Sequence, residues 1–321
     1  MPKPVTPARR LRHLAEYLFV RTAACALAML TPRQTKAIAE AAAGLMTRLP
    51  ARLVRRDLAR ENLRSAFPHA SDAWIDETVR AMWTHLFRMT AEIVQFPRKV
   101  VLENCREVLV FRNRAASVAA ACSGRPVIVL GGHFGNWEAS MTTFGTFSFP
   151  MGVVARELDN PLLNDWLSRS RQATGHRLIW KRGAGEAMLA QLAAGGSLAM
   201  LCDQDAGRRG VFCDFFGRPA STHKSLALLA LEHDALIVCG YGRRLPDDFR
   251  NGRWARFEIG CEDVIDPREC ETGDPVGEIT RRYTAALERS VRRSPEQYFW
   301  VHRRWKTPVG AKRKRRLKKA A

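Results

Sequence analysis

The stretch Val127-Ile-Val-Leu-Gly-Gly-His133-Phe-Gly-Asn-Trp-Glu138 predicts a buried strand, a tight turn and the start of a helix. Its four leading apolar residues are typical of a strand in a parallel sheet, which is covered on both faces. The two glycines permit the sharp turn that follows. His133 therefore stands just beyond the end of a strand, where sites form in α/β sheets.

The rest of the chain after residue 100 repeats this alternation of short aliphatic runs and helical patterns. Predicted strands cover residues 108–111, 127–130, 151–155, 178–180, 197–201 and 236–239, and 253–259 is a candidate antiparallel strand. Predicted helices cover residues 137–144, 161–174, 185–194, 224–233 and 276–293. The alternation predicts an α/β fold with a mixed, largely parallel sheet flanked by helices.

The first hundred residues predict a helical N-terminal region, with helices at 9–30, 33–47, 51–65 and 72–95. We therefore divide the chain into a membrane-associated helix at 1–32, a helical region at 33–100, an α/β domain at 101–308 and a basic tail at 309–321.

The first helix is mostly apolar over residues 14–30, but Glu16 and Arg21 interrupt it. Pro32 closes the segment before the roughly 20 residues that a membrane span needs. We expect a retained helix that lies on or partly in a membrane; the alternative is an ordinary helix packed against protein.

Composition indicates a globular protein with an anionic partner. The 321 residues are 46% hydrophobic, and 52 Lys and Arg against 32 Asp and Glu give a net charge of +20. Phospholipid, an acidic protein, a phosphorylated substrate and nucleic acid all satisfy that charge. No zinc knuckle, helix-turn-helix signal or ribonucleoprotein motif supports nucleic acid, and no Gly-x-Ser-x-Gly supports a serine hydrolase. The eight cysteines are scattered without a CxxC pair, which favours a reducing compartment.

His133 and Glu138 suggest acid–base chemistry. A carboxylate bonded to one imidazole nitrogen fixes the tautomer and leaves the other nitrogen as a base. Five residues of continuous helix turn through about 140°, so the two side chains meet only if His133 precedes the helix. Such a pair suits deprotonation of a substrate hydroxyl that attacks an acyl carbonyl. The alternative is a structural histidine at a helix start.

These residues resemble the bacterial lipid A biosynthesis acyltransferases, the lauroyl/myristoyl transferase family, within the wider His-x4-Asp/Glu glycerolipid acyltransferases. The resemblance continues in family order through Arg60-Glu-Asn-Leu, Arg156-Glu-Leu-Asp-Asn-Pro161, Gly196-Ser-Leu-Ala-Met-Leu-Cys-Asp203-Gln204, Phe212-Cys-Asp-Phe-Phe-Gly217 and Pro295-Glu-Gln-Tyr-Phe-Trp-Val-His302-Arg-Arg-Trp-Lys306.

The resemblance implies a glycerolipid acyltransferase-like fold and transfer of a fatty acyl chain, usually from acyl carrier protein, to a hydroxyl of a phosphorylated lipid A precursor. The place implied is the cytoplasmic face of the inner membrane. His133 matches the general base and Glu138 the carboxylate that orients it. Another glycolipid, an ornithine lipid or an inositol mannoside remains an alternative acceptor, because the chemistry is the same. We expect no metal and no cofactor.

Four further residues are predicted to bind substrate: Arg156, Asn136, Asp203 and Gln204. A guanidinium forks onto phosphate oxygens, which suits Arg156, although a surface ion pair is equally open. The loop that holds Asp203 follows an apolar strand and so edges the same cleft. Its carboxylates also suit a helix cap or pairs with Arg208 and Arg209.

The closing segment 298–306 alternates aromatic and cationic residues. The family resemblance favours a membrane interface or a phosphate-bearing headgroup as its partner. Base stacking and the core-and-surface alternation of a terminal element are the alternatives. The charge run at 312–319 predicts a solvated tail attracted to anionic lipid.

Overall fold

The computed structural model describes residues 6–250, 254–270 and 273–310. Residues 7–99 form five helices, and three of these begin at side-chain caps: Thr6, Thr31 and Ser71 each accept a hydrogen bond from a first-turn backbone N–H. These helices are α1 (Pro7–Met29), α2 (Pro32–Arg48), α3 (Ala51–Val54), α4 (Arg56–Ala66) and α5 (Asp72–Lys99). The predicted fourth helix is longer than expected, since α5 continues past Pro97 in its last turn.

The strands that follow are β1 (Leu109–Arg112), β2 (Val127–Gly131), β3 (Met151–Ala155), β4 (Arg177–Trp180), β5 (Ser197–Leu201), β6 (Val211–Phe215), β7 (Arg218–Thr222), β8 (Leu236–Arg244) and β9 (Phe257–Ile265). Seven of them form one sheet in the order β1-β9-β8-β2-β5-β3-β4. All its neighbours pair in parallel except β8 and β9. The predicted mixed, largely parallel sheet is confirmed.

The helices of this part are α6 (Cys105–Val108), α7 (Arg114–Ala121), α8 (Trp137–Thr146), α9 (Pro161–Gln172), α10 (Ala184–Ala193), α11 (Ser225–His233) and α12 (Pro275–Arg293). The predicted strand at 253–259 starts outside the described residues, and the structure has β9 from Phe257 onward. The charge run at 312–319 lies outside the described residues. The four-part division of the chain stays a prediction.

The hairpin of β6 and β7 was not predicted. Phe216 and Gly217 form its two-residue turn with φ of 57° and 72°. That backbone suits glycine and is unusual for phenylalanine, so the usual Asn-Gly turn signal is missing. Thr222, at the end of this hairpin, lines the same cavity as Gly132 and Asp203.

The closing segment packs against this hairpin and corrects the predicted membrane interface. Tyr298, Trp300 and Arg304 are each 1% exposed. The Arg304 guanidinium donates to the backbone oxygen of Ser221 and to Thr222 Oγ1, both at 2.7 Å. The alternation is therefore that of a terminal element with a buried side, where Arg304 is held by backbone and hydroxyl oxygens, and an exposed side that carries Arg303 and Lys306.

Helix α1 packs against α5 and α9 with its large apolar side chains turned outward. Among the described residues, none of the helices combines the length and apolarity that a membrane span requires.

Candidate active site

The turn between β2 and α8 requires glycine at position 135 and leaves little room for a side chain at position 132. A Cβ at Gly132 would stand 2.6 Å from Leu287 Cδ1, and one at Gly135 would stand 2.1 Å from the backbone oxygen of Gly242. Gly135 also has a φ of +60°, which side chains disfavour. The backbone N–H of Asn136 donates to that same Gly242 oxygen at 2.6 Å. The turn is thereby pinned to β8, with His133 between its glycines.

His133 is held by Asp203, which follows the neighbouring strand β5. His133 Nδ1 lies 2.7 Å from Asp203 Oδ1, and the His133 backbone N–H donates to Oδ2 at 2.8 Å. The ionised carboxylate only accepts, so Nδ1 carries the proton and Nε2 is left as the basic nitrogen. The Asp203 side chain is fully buried, whereas that of His133 is 22% exposed. The imidazole is thus held by Asp203 at Nδ1, and part of the ring stays exposed.

The electrostatics of the pair favour an ionised Asp203. Burial opposes the charged form of His133, but the attraction and hydrogen bond of Asp203 outweigh it and raise the pKa of His133 above 6.5. Burial likewise opposes the Asp203 carboxylate, yet the charge and hydrogen bonds of His133 lower the Asp203 pKa well below its usual value. A proton taken by Nε2 is therefore stabilised by a carboxylate already in place.

The structure corrects the predicted pairing of His133 with Glu138. Both Glu138 oxygens face Arg171, with Arg171 Nε donating to Oε2 at 3.1 Å and Nη2 to Oε1 at 2.5 Å. Glu138 lies in the first turn of α8, after the turn that carries His133. The helix therefore carries its carboxylate to α9 while β5 supplies the carboxylate at His133.

The prediction that Asn136 binds substrate is wrong, because both ends of its amide already have partners within the protein. Oδ1 caps α8 by accepting from Ala139 N at 3.0 Å, and Nδ2 donates to Glu92 Oε2 at 3.0 Å. Asn136 is fully buried, and Glu92 is also paired with Arg244. These contacts hold the turn from behind.

Arg156 and Gln204 lie at the same edge of the sheet as His133. Arg156 follows β3, Gln204 follows Asp203, and both are exposed. Neither side chain forms a hydrogen bond or ion pair within the described part of the chain. Because β2, β5, β3 and β4 are parallel neighbours, their carboxyl ends meet here. The edge therefore presents an unpaired guanidinium and an amide beside the histidine.

Sequence reasoning missed Lys181 and gave His302 no role of its own. Lys181 follows β4, is exposed, and its charge opposes protonation of His133. His302 is 7% exposed and donates from Nδ1 to the backbone oxygen of Phe299 at 2.6 Å. Its Nε2 accepts from the Tyr298 hydroxyl at 3.2 Å, and burial lowers the pKa of His302. Lys181 follows a predicted strand and His302 lies within a quoted block, but the sequence does not show that either residue comes near His133.

The fold and the site together define a class: α/β proteins with a carboxylate-held histidine at the carboxyl edge of a mixed sheet, among cations. The chain belongs to the bacterial lipid A biosynthesis acyltransferase family, whose model matches residues 6–307. The family predicted from the sequence is confirmed.

Relatives with curated names agree with this assignment. The chain is 30% identical over 186 residues to an Escherichia coli K12 lipid A biosynthesis lauroyltransferase, a match that covers 57% of each chain. It is 28% identical over 195 residues to the palmitoleoyltransferase of the same strain, covering 60% of each chain. A Haemophilus influenzae lipid A biosynthesis acyltransferase is 24% identical over 255 residues, covering 77% of this chain and 74% of the relative.

Proposed function

We propose that this protein transfers a fatty acyl chain from acyl carrier protein to a hydroxyl of a lipid A precursor, with His133 as the general base. The observation that carries the proposal is the contact of His133 Nδ1 with the buried Asp203 at 2.7 Å. It leaves Nε2 free to take a proton and holds the ring in one orientation. Family membership supplies the reaction class and the acceptor class.

The proposed step needs no acyl-enzyme intermediate. Nε2 of His133 removes the proton of the acceptor hydroxyl as its oxygen forms a bond to the carbonyl carbon of the acyl thioester. The tetrahedral intermediate collapses, the carbon–sulfur bond breaks, and the proton passes from Nε2 to the leaving thiolate. Asp203 stabilises the imidazolium between the two transfers. Arg156 and Lys181 are the proposed partners of the oxyanion or of a substrate phosphate.

The other predicted site residues receive narrower parts in this proposal. Glu138 acts through Arg171, which anchors the first turn of α8 beside the His133 turn. Asn136 supports the same turn through its contacts with Ala139 and Glu92. Gln204 stays a proposed substrate contact because its exposed amide borders Asp203.

The proposed donor is supported by a group of exposed cations on loops around this edge. The ion pairs of the described chain involve none of Lys181, Arg182, Arg208, Arg209, Lys224, Arg303 and Lys306. Elsewhere many arginines are paired, such as Arg125 with Asp234 and Asp266. Unpaired charge of one sign steers a partner of the other sign. An acidic carrier protein fits that description.

Membrane association is proposed for the outer face of α1. Its exposed apolar side chains are Leu11 at 69%, Leu14 at 44%, Leu18 at 55%, Phe19 at 75% and Met29 at 83%. They repeat at helical spacing, which is typical of a helix lying in a lipid interface. We place the protein on the anionic cytoplasmic face of the inner membrane, where its acceptor would be found.

The direct test is acyl transfer by the purified protein from acyl carrier protein to a lipid A precursor. His133→Ala should lower kcat by about 10²- to 10⁴-fold, because a positioned base is removed. The variant also leaves the buried Asp203 carboxylate without its partner, so circular dichroism must show that it stays folded. Near-normal transfer by this variant would remove His133 from the mechanism. Mass spectrometry of lipids from a deletion strain tests the acceptor: loss of one acyl chain from lipid A supports the proposal. Loss from another glycolipid, with lipid A unchanged, would assign that acceptor instead.

A further inference from the structure

The hydrogen bonds between α1 and the start of α9 are made by one polar side chain with no free hydrogen-bonding atom; further along, the Arg21 guanidinium lies 5.0 Å from the centre of the Trp166 ring. Asn160 is 6% exposed. Its Nδ2 donates to the backbone oxygen of His13 and to Glu16 Oε2, both at 2.9 Å. Its Oδ1 caps α9 by accepting from Leu162 N at 3.0 Å. One amide thus begins α9 and ties it to α1.

Asn160 also ends the short loop that starts with Arg156. Residues 156–159 are exposed and run from the end of β3 to the Asn160 cap. Inside the loop, Leu158 N donates to Asn164 Oδ1 at 2.9 Å, a contact with the first turns of α9. The backbone that carries Arg156 is therefore held by β3 on one side and by the Asn160 contact on the other.

Glu16 gains an explanation from this contact. A helix that only lies in lipid has no need of a carboxylate within its apolar run, yet Glu16 interrupts α1 there. The hydrogen bond from Asn160 lowers the pKa of Glu16, so the carboxylate accepts in its ionised form. Arg12 Nε donates to the other oxygen, Oε1, at 2.9 Å.

The far end of α1 is tied to the helix behind the His133 turn. Gln95 Nε2 of α5 donates to the backbone oxygens of Leu27 at 2.7 Å and Leu30 at 3.2 Å. The same helix carries Glu92, which holds Asn136. Helix α1 therefore joins the Arg156 loop at one end to the support of the catalytic turn at the other.

We propose that Asn160 is a positioning residue through which α1, seated in lipid, sets the Arg156 loop for a phosphate of the acceptor. The inference rests on the proposed function. It couples membrane attachment to acceptor binding: movement of α1 would move the loop.

The test exchanges donor and acceptor within the contact. Asn160→Asp keeps an oxygen to cap α9, since Asp is as good a cap as Asn. It loses the Nδ2 donor and places a second carboxylate beside Glu16. We expect the KM for the acceptor to rise about tenfold with kcat changed much less, which corresponds to about 1.4 kcal/mol of lost binding. In the double variant Glu16→Gln, Asn160→Asp, the Gln amide donates to the Asp carboxylate. The KM for the acceptor should therefore fall most of the way back to the wild-type value.

Arg12→Gln is the matched control, because Arg12 touches Glu16 without touching Asn160; its KM should stay at the wild-type value. Hydrogen exchange gives a readout besides activity: amides of residues 156–165 should exchange faster in Asn160→Asp and recover in the double variant. Unchanged KM and exchange in Asn160→Asp, or a rise in KM that the double variant does not reverse, would overturn the inference. Absence of transfer by the wild-type chain would count against the proposed function. The exchange data would then decide separately whether the Asn160–Glu16 contact holds residues 156–165 in place.

Discussion

Two carboxylates near the catalytic turn lie in different surroundings, at the end of β5 and at the start of α8. Asp203 is fully buried and receives two hydrogen bonds from His133, 70 residues earlier. Glu138 is 11% exposed and receives two from Arg171, 33 residues later. The carboxylate nearest in sequence to the histidine is therefore not the one that holds it. In a parallel sheet, neighbouring strand ends determine which side chains meet.

The largest expected effect that tests this comparison comes from Asp203→Asn. The amide cannot stabilise an imidazolium as the carboxylate does, so kcat should fall by about 10²- to 10⁴-fold. The variant should also change the pH dependence. Asp203 raises the pKa of His133, and the base must be neutral, so wild-type kcat/KM should rise through an inflection above pH 6.5. Without that carboxylate the remaining burial moves the inflection of any residual activity to lower pH.

The measurement is a pH–rate profile of both proteins, with circular dichroism as the check on folding. A folded Asp203→Asn variant with normal kcat and an unmoved inflection would show that the His133–Asp203 contact has no part in the reaction.

A smaller effect is expected from Glu138→Gln, and mainly on stability. Loss of one partner leaves the Arg171 guanidinium, 21% exposed, without its counter-charge. Because both groups keep some contact with water, we expect a loss of about 1–3 kcal/mol in the free energy of unfolding, less than for a fully buried pair. Activity should fall less than in Asp203→Asn, and the pH inflection should stay in place.

Urea denaturation of the single variants and of Glu138→Gln, Arg171→Gln measures the coupling. The double variant should regain part of the stability, since no unpaired ion remains. A folded Glu138→Gln variant as inactive as Asp203→Asn, with the same shift of inflection, would return the orienting role to Glu138.

The sequence could predict the sheet because its strands are short aliphatic runs with clear ends, as in residues 127–130 and 197–201. It could not predict the β6–β7 hairpin, whose turn places Phe216 in the left-handed region. The prediction of a membrane interface at residues 298–306 was wrong for another reason. Aromatic and cationic residues alternate both at a lipid interface and in a core where a buried Arg304 finds oxygen acceptors, so the pattern alone does not separate them.

The sequence could predict the separate residues of the site, but it could not predict which of them meet. His133 stands out because glycines and an apolar run precede it, and Asp203 because it ends another such run. Their contact depends on β2 and β5 being neighbours, with Gly131 opposite Leu201. Strand order is set by packing of the whole domain, and one sequence does not reveal it.

The smallest expected effect concerns Lys181, which the same strand order brings near the pair. Its charge opposes protonation of His133, so Lys181→Met should raise the pKa of His133 and move the inflection of kcat/KM to higher pH. Lys181 is exposed, so the interaction is a weak surface one and the shift should be much smaller than the shift in Asp203→Asn. Added salt should shrink the difference from wild type, because ions screen exposed charges at about 10 Å near 0.1 M.

Arg182→Met is the matched control, since Arg182 is the neighbouring exposed cation and should leave the inflection in place. The position of the inflection, rather than the height of the profile, is the measurement, because either cation also contributes to the proposed carrier-protein surface. A shift to lower pH in Lys181→Met, or an equal shift in both variants, would show that Lys181 does not act on His133 directly.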